Sequence, residues 1–231
     1  MVYMEDSQRA SEVQRLVQIG IGLHLNLSEG FTDPATPPRI RERQARLLRA
    51  FERDSPRRLH RWIYDPLIRA DVDASIADQW EAFENLYGRE PTHVDGHQHV
   101  NLSPNVFLAR ALPRGTACRR TLDNYPPARS LASLPRTLKQ RLISARFRTT
   151  DYFFDINDVD PREAPEALEL AASASVEVMA HPGFPHEYER LMAPEWEKAL
   201  QTVPLGSFSD LTGPPGTQAR GRASRSSIVS S

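Results

Sequence analysis

Ile19-Gly20-Ile21-Gly22-Leu23-His24-Leu25-Asn26-Leu27-Ser28 alternates without a break. Successive side chains of an extended chain point to opposite faces, so Ile19, Ile21, Leu23, Leu25 and Leu27 share one side and Gly20, Gly22, His24, Asn26 and Ser28 the other. The stretch predicts a strand with one apolar face and one small, polar face. Around it helices and strands take turns. Ala10, Val13, Leu16 and Val17 recur at helical spacing over Asp6–Gln18, with Asp6 or Ser7 as N-cap. An arginine-rich helix is expected at about Ile40–Phe51, and another over Asp71–Tyr87, stopped by Gly88 with Pro91 beyond. Ser103-Pro104 reads as a cap and first-turn proline opening a helix to about Leu112. Further helices are expected at Leu134–Phe147, Ala164–Ala174 and Pro194–Thr202, and short strands at Thr92–Asp95, Asp151–Asn157, Val176–Ala180 and Leu205–Ser209. Such alternation predicts an α/β fold with parallel strands. In an α/β barrel, side chains at the C-terminal strand ends converge on one mouth, where sites are built.

The 231 residues suffice for one domain of ordinary size. Lys and Arg number 29 against 30 Asp and Glu, a net charge of −1, which argues against nucleic-acid and membrane-surface partners. A lone cysteine, Cys118, excludes an intramolecular disulfide and a cysteine-built zinc site, and reads as a small buried residue. No run approaches the roughly 20 apolar residues that span a bilayer. The N-terminus lacks the basic start and apolar stretch of a signal peptide, so a reduced, cytoplasmic enzyme is the expectation. Residues 212–231 have almost nothing to bury and read as a disordered tail. Trp62, Trp80 and Trp196 are expected in or near the core, and His60 and His186 on the surface.

Thr92-His93-Val94-Asp95-Gly96-His97-Gln98-His99 is the densest chemical signal, with three histidines and an aspartate at a strand end. In an extended segment His97 and His99 would point the same way. Imidazole is the commonest metal ligand; Asp95 fits a ligand, an acid/base group or an orienting partner equally. His24 stands on the polar side of its strand, with Gly20 and Gly22 clearing space before it. His181-Pro182-Gly183 follows the Val176–Ala180 strand directly, and an imidazole there suits proton transfer near neutral pH. Asn26-Leu27-Ser28 and Asn101-Leu102-Ser103 match a glycosylation pattern that means little without a secretory signal.

Together, Ile21–Gly30, Pro91–Val100 and Val176–Phe184 resemble, in order and spacing, the YdjC-like (ChbG/HpnK) family of carbohydrate deacetylases, a likeness running through roughly residues 1–211. The resemblance implies a distorted TIM-like (β/α) barrel that removes N-acetyl groups from amino-sugars such as acetylated chito-oligosaccharides. It implies a divalent metal cation, Mg or Zn, with His24 and His97 among its ligands. His181 would be the general acid, and Asp95 and His99 would line the site, with Asp95 in a catalytic role. The family opens with a strand ending in Asp-Asp-Phe-Gly that supplies the third ligand and the base; this sequence has no such motif. Met1–Met4 resembles the end of the family's second strand, so an N-terminally incomplete barrel is expected.

The implied partner is a small N-acetylated sugar, with a homodimer left open and no nucleic acid or membrane expected. Two other functions stand beside this one. A catalytically impaired remnant or sugar-binding protein would follow from the missing aspartates. A TIM-like metal-dependent phosphoesterase or amidohydrolase would put its His-x-His on the first strand, whereas here it falls mid-chain.

Overall fold

A computed structural model describes residues 1–12, 19–51, 62–123, 134–159 and 169–211. The fold is mixed α/β. In chain order the elements are α1 (Ser7–Ala10), β1 (Leu23–Leu25), α2 (Pro38–Phe51), α3 (Arg69–Tyr87), β2 (Val94–Gly96), α4 (Pro104–Phe107), α5 (Leu134–Ser144), β3 (Tyr152–Asp155), β4 (Val176–Met179), α6 (Pro185–Leu191) and α7 (Pro194–Leu200). Short 3-10 turns lie at His97–Leu102, Leu170–Ala172 and Phe208–Asp210.

Two small parallel sheets carry the strands. β1 pairs with β2 in the register Leu23–Val94, His24–Asp95 and Leu25–Gly96. β3 pairs with β4, Tyr152 opposite Val176 and Asp155 opposite Met179. Single parallel bridges continue the ladder from Val94 to Cys118 and from Ala117 to Arg148. The Asp123 N–H then donates to the Phe153 carbonyl at 2.8 Å, so residues 117–123 lead from the side of β2 to the side of β3. Closure of these strands into a barrel is not seen among the described residues.

The predicted alternation shows its purpose in β1. Leu23, Leu25 and Leu27 are buried in one core with Val94, Val72, Ile76, Phe83, Leu47 and Phe51, the strand packing on α3 and α3 on α2. Hydrogen bonding between the two chains begins at Ile21, whose carbonyl accepts from Thr92 N–H at 2.9 Å. It stops at Asn26 because that buried side chain turns the backbone, its Oδ1 accepting from Ser28 N–H at 3.2 Å and Glu29 N–H at 2.9 Å. The strand is therefore shorter than the alternating sequence. A second core gathers Phe154, Ile156, Val159 and Trp196 beneath β3 and β4. Gly88 closes α3 in the left-handed region, φ 64°, with its N–H on the Glu84 carbonyl at 2.7 Å.

Several sequence expectations are corrected. Leu205–Ser209 is not a strand: Asp210 caps Ser207 N–H and its hydroxyl, curling Phe208–Asp210 into a 3-10 turn. The Ser103-Pro104 helix ends at Phe107, well before Leu112, and the Ser103 side chain makes no capping hydrogen bond. His97 and His99 do not lie on an extended segment, since Gln98 and His99 take φ 50° and 60° and coil the chain. Trp62 is 67% exposed, under the Lys139 ammonium 4.0 Å from its ring centroid, while Trp196 is buried as expected. Asn26 and Asn101 are buried and are not glycan acceptors. His60, residues 13–18 of the first predicted helix, 164–168 of the later one and the 212–231 tail lie outside the described residues.

Gly22 is needed for a close approach. A Cβ there would stand 2.3 Å from His93 Nε2, on the sheet face that His24 and Asp95 share. His93 in turn stacks on Phe208, ring centroids 4.0 Å apart. Overpacking of this kind costs about 1–3 kcal/mol. Gly22→Ala is therefore expected to lower the urea midpoint, and Gly22→Ala with His93→Ala to regain most of the loss; an unchanged midpoint for the single variant would contradict this packing.

Candidate functional site

The register of β1 on β2 sets His24 beside Asp95, and His24 Nδ1 meets Asp95 Oδ1 at 2.9 Å. An ionised carboxylate only accepts, so this ring carries its proton on Nδ1 and leaves Nε2 as the electron-pair donor. Gly96 follows Asp95 at a point where a Cβ would meet Asn101 N at 2.6 Å. The chain then coils through His97, whose ring centroid lies 5.7 Å from that of His24 with the planes 72° apart.

His97 Nε2 is buried and lies 2.9 Å from Glu29 Oε1, though not aligned for a hydrogen bond, and it has no hydrogen-bond partner. Glu29 is placed by a buried polar knot. Gln79 Oε1 accepts from Asn26 N–H at 2.9 Å, and its amide donates to the Asn26 carbonyl at 3.0 Å. Gln44 Nε2 donates to the Glu29 carbonyl at 2.5 Å. The loop after β1 is thus tied to both α2 and α3.

Behind Asp95 lies Arg119. Its Nη1 is 2.6 Å from Asp95 Oδ2, and its Nε donates to Glu177 Oε1 at 2.6 Å. Burial alone would push the Asp95 carboxyl up; the hydrogen bond from His24, with the Arg119 guanidinium, outweighs it and holds Asp95 below the usual carboxylate range. For Glu177 the balance falls the other way. Burial pushes it up and Arg119 offsets only part, while Glu177 Oε2 is buried without a hydrogen-bond partner.

His181 follows β4. Its backbone N–H and ring Nδ1 both face Glu187 of α6, with Nδ1 3.2 Å from Oε2. Burial works against ionisation of Glu187, but the bond from His181 N–H and the His181 charge hold its carboxyl low. With Nδ1 committed to Glu187, Nε2 of this half-exposed ring is the nitrogen left for a substrate. Phe184 stands beside it at 5.5 Å.

The structure brings His24, Asp95 and His97 together at the C-terminal end of β1 and β2. His181 lies past the C-terminal end of β4, the strand whose Glu177 is joined to that group through Arg119 and Asp95. His99 turns aside to meet the Phe153 ring edge-on at 6.4 Å. Sequence reasoning missed Glu29, Arg119, Glu177 and Glu187. Glu29 and Glu177 lay inside the quoted motifs, whereas Arg119 was hidden in an arginine-rich stretch without periodicity.

For a divalent cation the two imidazoles are suitable donors, since His24 Nε2 is freed by Asp95 and His97 Nε2 is buried without a hydrogen bond. They are two donors and not a closed cage: among the described residues no three His, Cys, Asp or Glu side chains are grouped to hold a metal ion. No described helix is long and apolar enough to cross a membrane.

The family model described as YdjC-like protein matches residues 1–203. A chitooligosaccharide deacetylase of Enterobacter sp. (strain 638) is 26% identical over 215 residues, covering 90% of this chain and 79% of the relative. Those of Salmonella paratyphi B and Salmonella newport are each 29% identical over 193 residues, covering 80% of this chain and 69% of theirs.

His93 supplies a test of the site's interior. Burial pulls its imidazole from 6.5 down to about 4, with Asp95 opposing and Arg119 and His24 adding. The unfolded chain therefore binds the extra proton between those values. The contribution of His93 is full above about pH 6.5 and is lost as pH falls toward 4, on the order of 3 kcal/mol. Unfolding midpoints measured across this window are expected to fall with acid in the wild type and to flatten in His93→Gln.

Proposed function

The chain belongs to the YdjC-like family, and from that premise we propose that it is a carbohydrate deacetylase, a hydrolase removing N-acetyl groups from amino-sugar oligosaccharides. The names of its relatives support acetylated chito-oligosaccharides as the substrate class. The observation that carries the reading is the gathering of His24, Asp95 and His97 at the C-terminal ends of β1 and β2, with a run of ion pairs from His24 through Asp95 and Arg119 to Glu177 of β4, the strand that His181 follows. Ligands of parallel sheets bind outside the carboxyl ends of the strands. The parallel pairings of β1 with β2 and of β3 with β4, with single parallel bridges at Val94–Cys118 and Ala117–Arg148 between them, support a TIM-like barrel wall.

His24 and His97 would hold the divalent cation, Mg or Zn. Such an ion, when bound, polarises the acetyl carbonyl and acidifies a water. Asp95 stays ionised and holds the Nδ1 proton of His24, so Nε2 is fixed as the donor. His181 hands a proton from Nε2 to the departing sugar amine, while Glu187 stabilises the imidazolium that precedes transfer. Phe184, beside the His181 ring, would border the sugar.

General acids contribute about 100-fold or more. His181→Ala is thus expected to cut acetate release from N,N′-diacetylchitobiose by about that factor while its cation content, read by elemental mass spectrometry, stays at the wild-type level. His97→Ala should lose both. Wild-type turnover in His181→Ala would remove the general-acid assignment, and sugar binding by the wild type without acetate release would favour a sugar-binding protein.

A further inference from the structure

We propose that Arg119 is a positioning residue of this site: by gripping Asp95 and Glu177 at once, it turns the Asp95 carboxylate so that its other oxygen fixes the His24 ring. Arg119 touches neither His24 nor a reacting atom; it acts through Asp95.

Its backbone is held from two sides. Arg119 N–H donates to the Val94 carbonyl at 3.0 Å, and its own carbonyl accepts from the buried Asn101 side chain at 3.0 Å. The side chain is 15% exposed. From there the guanidinium spans three strands, reaching Asp95 Oδ2 on β2 at 2.6 Å, lying 4.9 Å from the Phe153 ring centroid on β3, and reaching Glu177 Oε1 on β4 at 2.6 Å. Met179 Sδ accepts from Nη1 at 3.7 Å. A rigid planar fork of donors holds two carboxylates in fixed directions, whereas the three donors of an ammonium rotate and fix neither.

The geometry leaves the Asp95 carboxylate one orientation. Oδ2 is taken by Arg119, so Oδ1 faces His24 Nδ1 at 2.9 Å. Were the grip removed, either oxygen could rotate away, and the ring of His24 could protonate at Nε2 instead. Outer partners of this sort are worth about 10–100-fold in activity. The idea rests on the proposed function only where turnover is measured; the orientation of His24 is independent of it.

Removing Arg119 alone would strip the buried Glu177 of its cation and leave Asp95 with His24 alone, which threatens folding. The informative variant is therefore Arg119→Gln with Glu177→Gln, checked for cooperative thermal unfolding. Long-range proton–nitrogen NMR of the His24 ring is expected to show the Nδ1-protonated tautomer in the wild type and a mixture of tautomers in the double variant. Deacetylation of N,N′-diacetylchitobiose should fall about tenfold or more in kcat with KM within about twofold, and Arg119→Lys should recover only part. A folded double variant that keeps the single Nδ1-protonated tautomer overturns the proposal, as does one with wild-type kcat. If the wild type releases no acetate, the deacetylase reading fails and the tautomer measurement still decides this one.

Discussion

The parallel pairing of Leu23-His24-Leu25 with Val94-Asp95-Gly96 is the constraint on which the site depends. A slip of one residue would turn every side chain of β1 to the opposite face. Leu23 and Leu25, both fully buried in the core that β1 shares with α3, forbid that slip. The same packing that removes two leucines from water therefore presents His24, one residue between them, to Asp95. Core energy and site geometry are two readings of a single register.

The segments beyond the C-terminal ends of β1 and β2 are held by polar groups as well as by the buried Leu27 and Val100. Asn26, Gln44 and Gln79 are all buried, and their amides satisfy the backbone where the strand ends. Each of these amide bonds favours this arrangement, because breaking it would leave a buried group unmet, although Gln44 Oε1 and Asn101 Oδ1 themselves have no hydrogen-bond partner. Through them Glu29 comes to stand beside His97 across a long stretch of sequence. Asn101 does the same on the other side, joining the coil after β2 to the carbonyl of Arg119.

The alternation over Ile19–Ser28 and the apolar spacing of Asp71–Tyr87 made the order of strands and helices legible, because both periods are set by burial. His24, Asp95 and His97 were legible as a group because they sit at strand ends next to glycine. The conformation at Gln98 and His99 was not, since a left-handed pair in a non-glycine stretch leaves no compositional mark. Leu205–Ser209 misled for a related reason: its turn is decided by Asp210 capping Ser207, a local contact that outweighs a weak extended pattern. Arg119 was beyond reach because its meaning lies in Asp95 and Glu177, neither of which is near it in the chain.

Each of the three histidines closest to the proposed chemistry has a carboxylate from another element: His24 has Asp95, His97 has Glu29 and His181 has Glu187. The nitrogen engaged differs. Asp95 and Glu187 take Nδ1 and so leave Nε2 to face outward, whereas Glu29 stands at Nε2 of His97 itself. The first arrangement is that of an imidazole prepared to give or share its outer nitrogen. The second puts a negative charge at the nitrogen that would meet a cation, where it favours the ion by charge alone. Three similar pairs thus divide by geometry into two kinds, according to which ring nitrogen stands toward the acid.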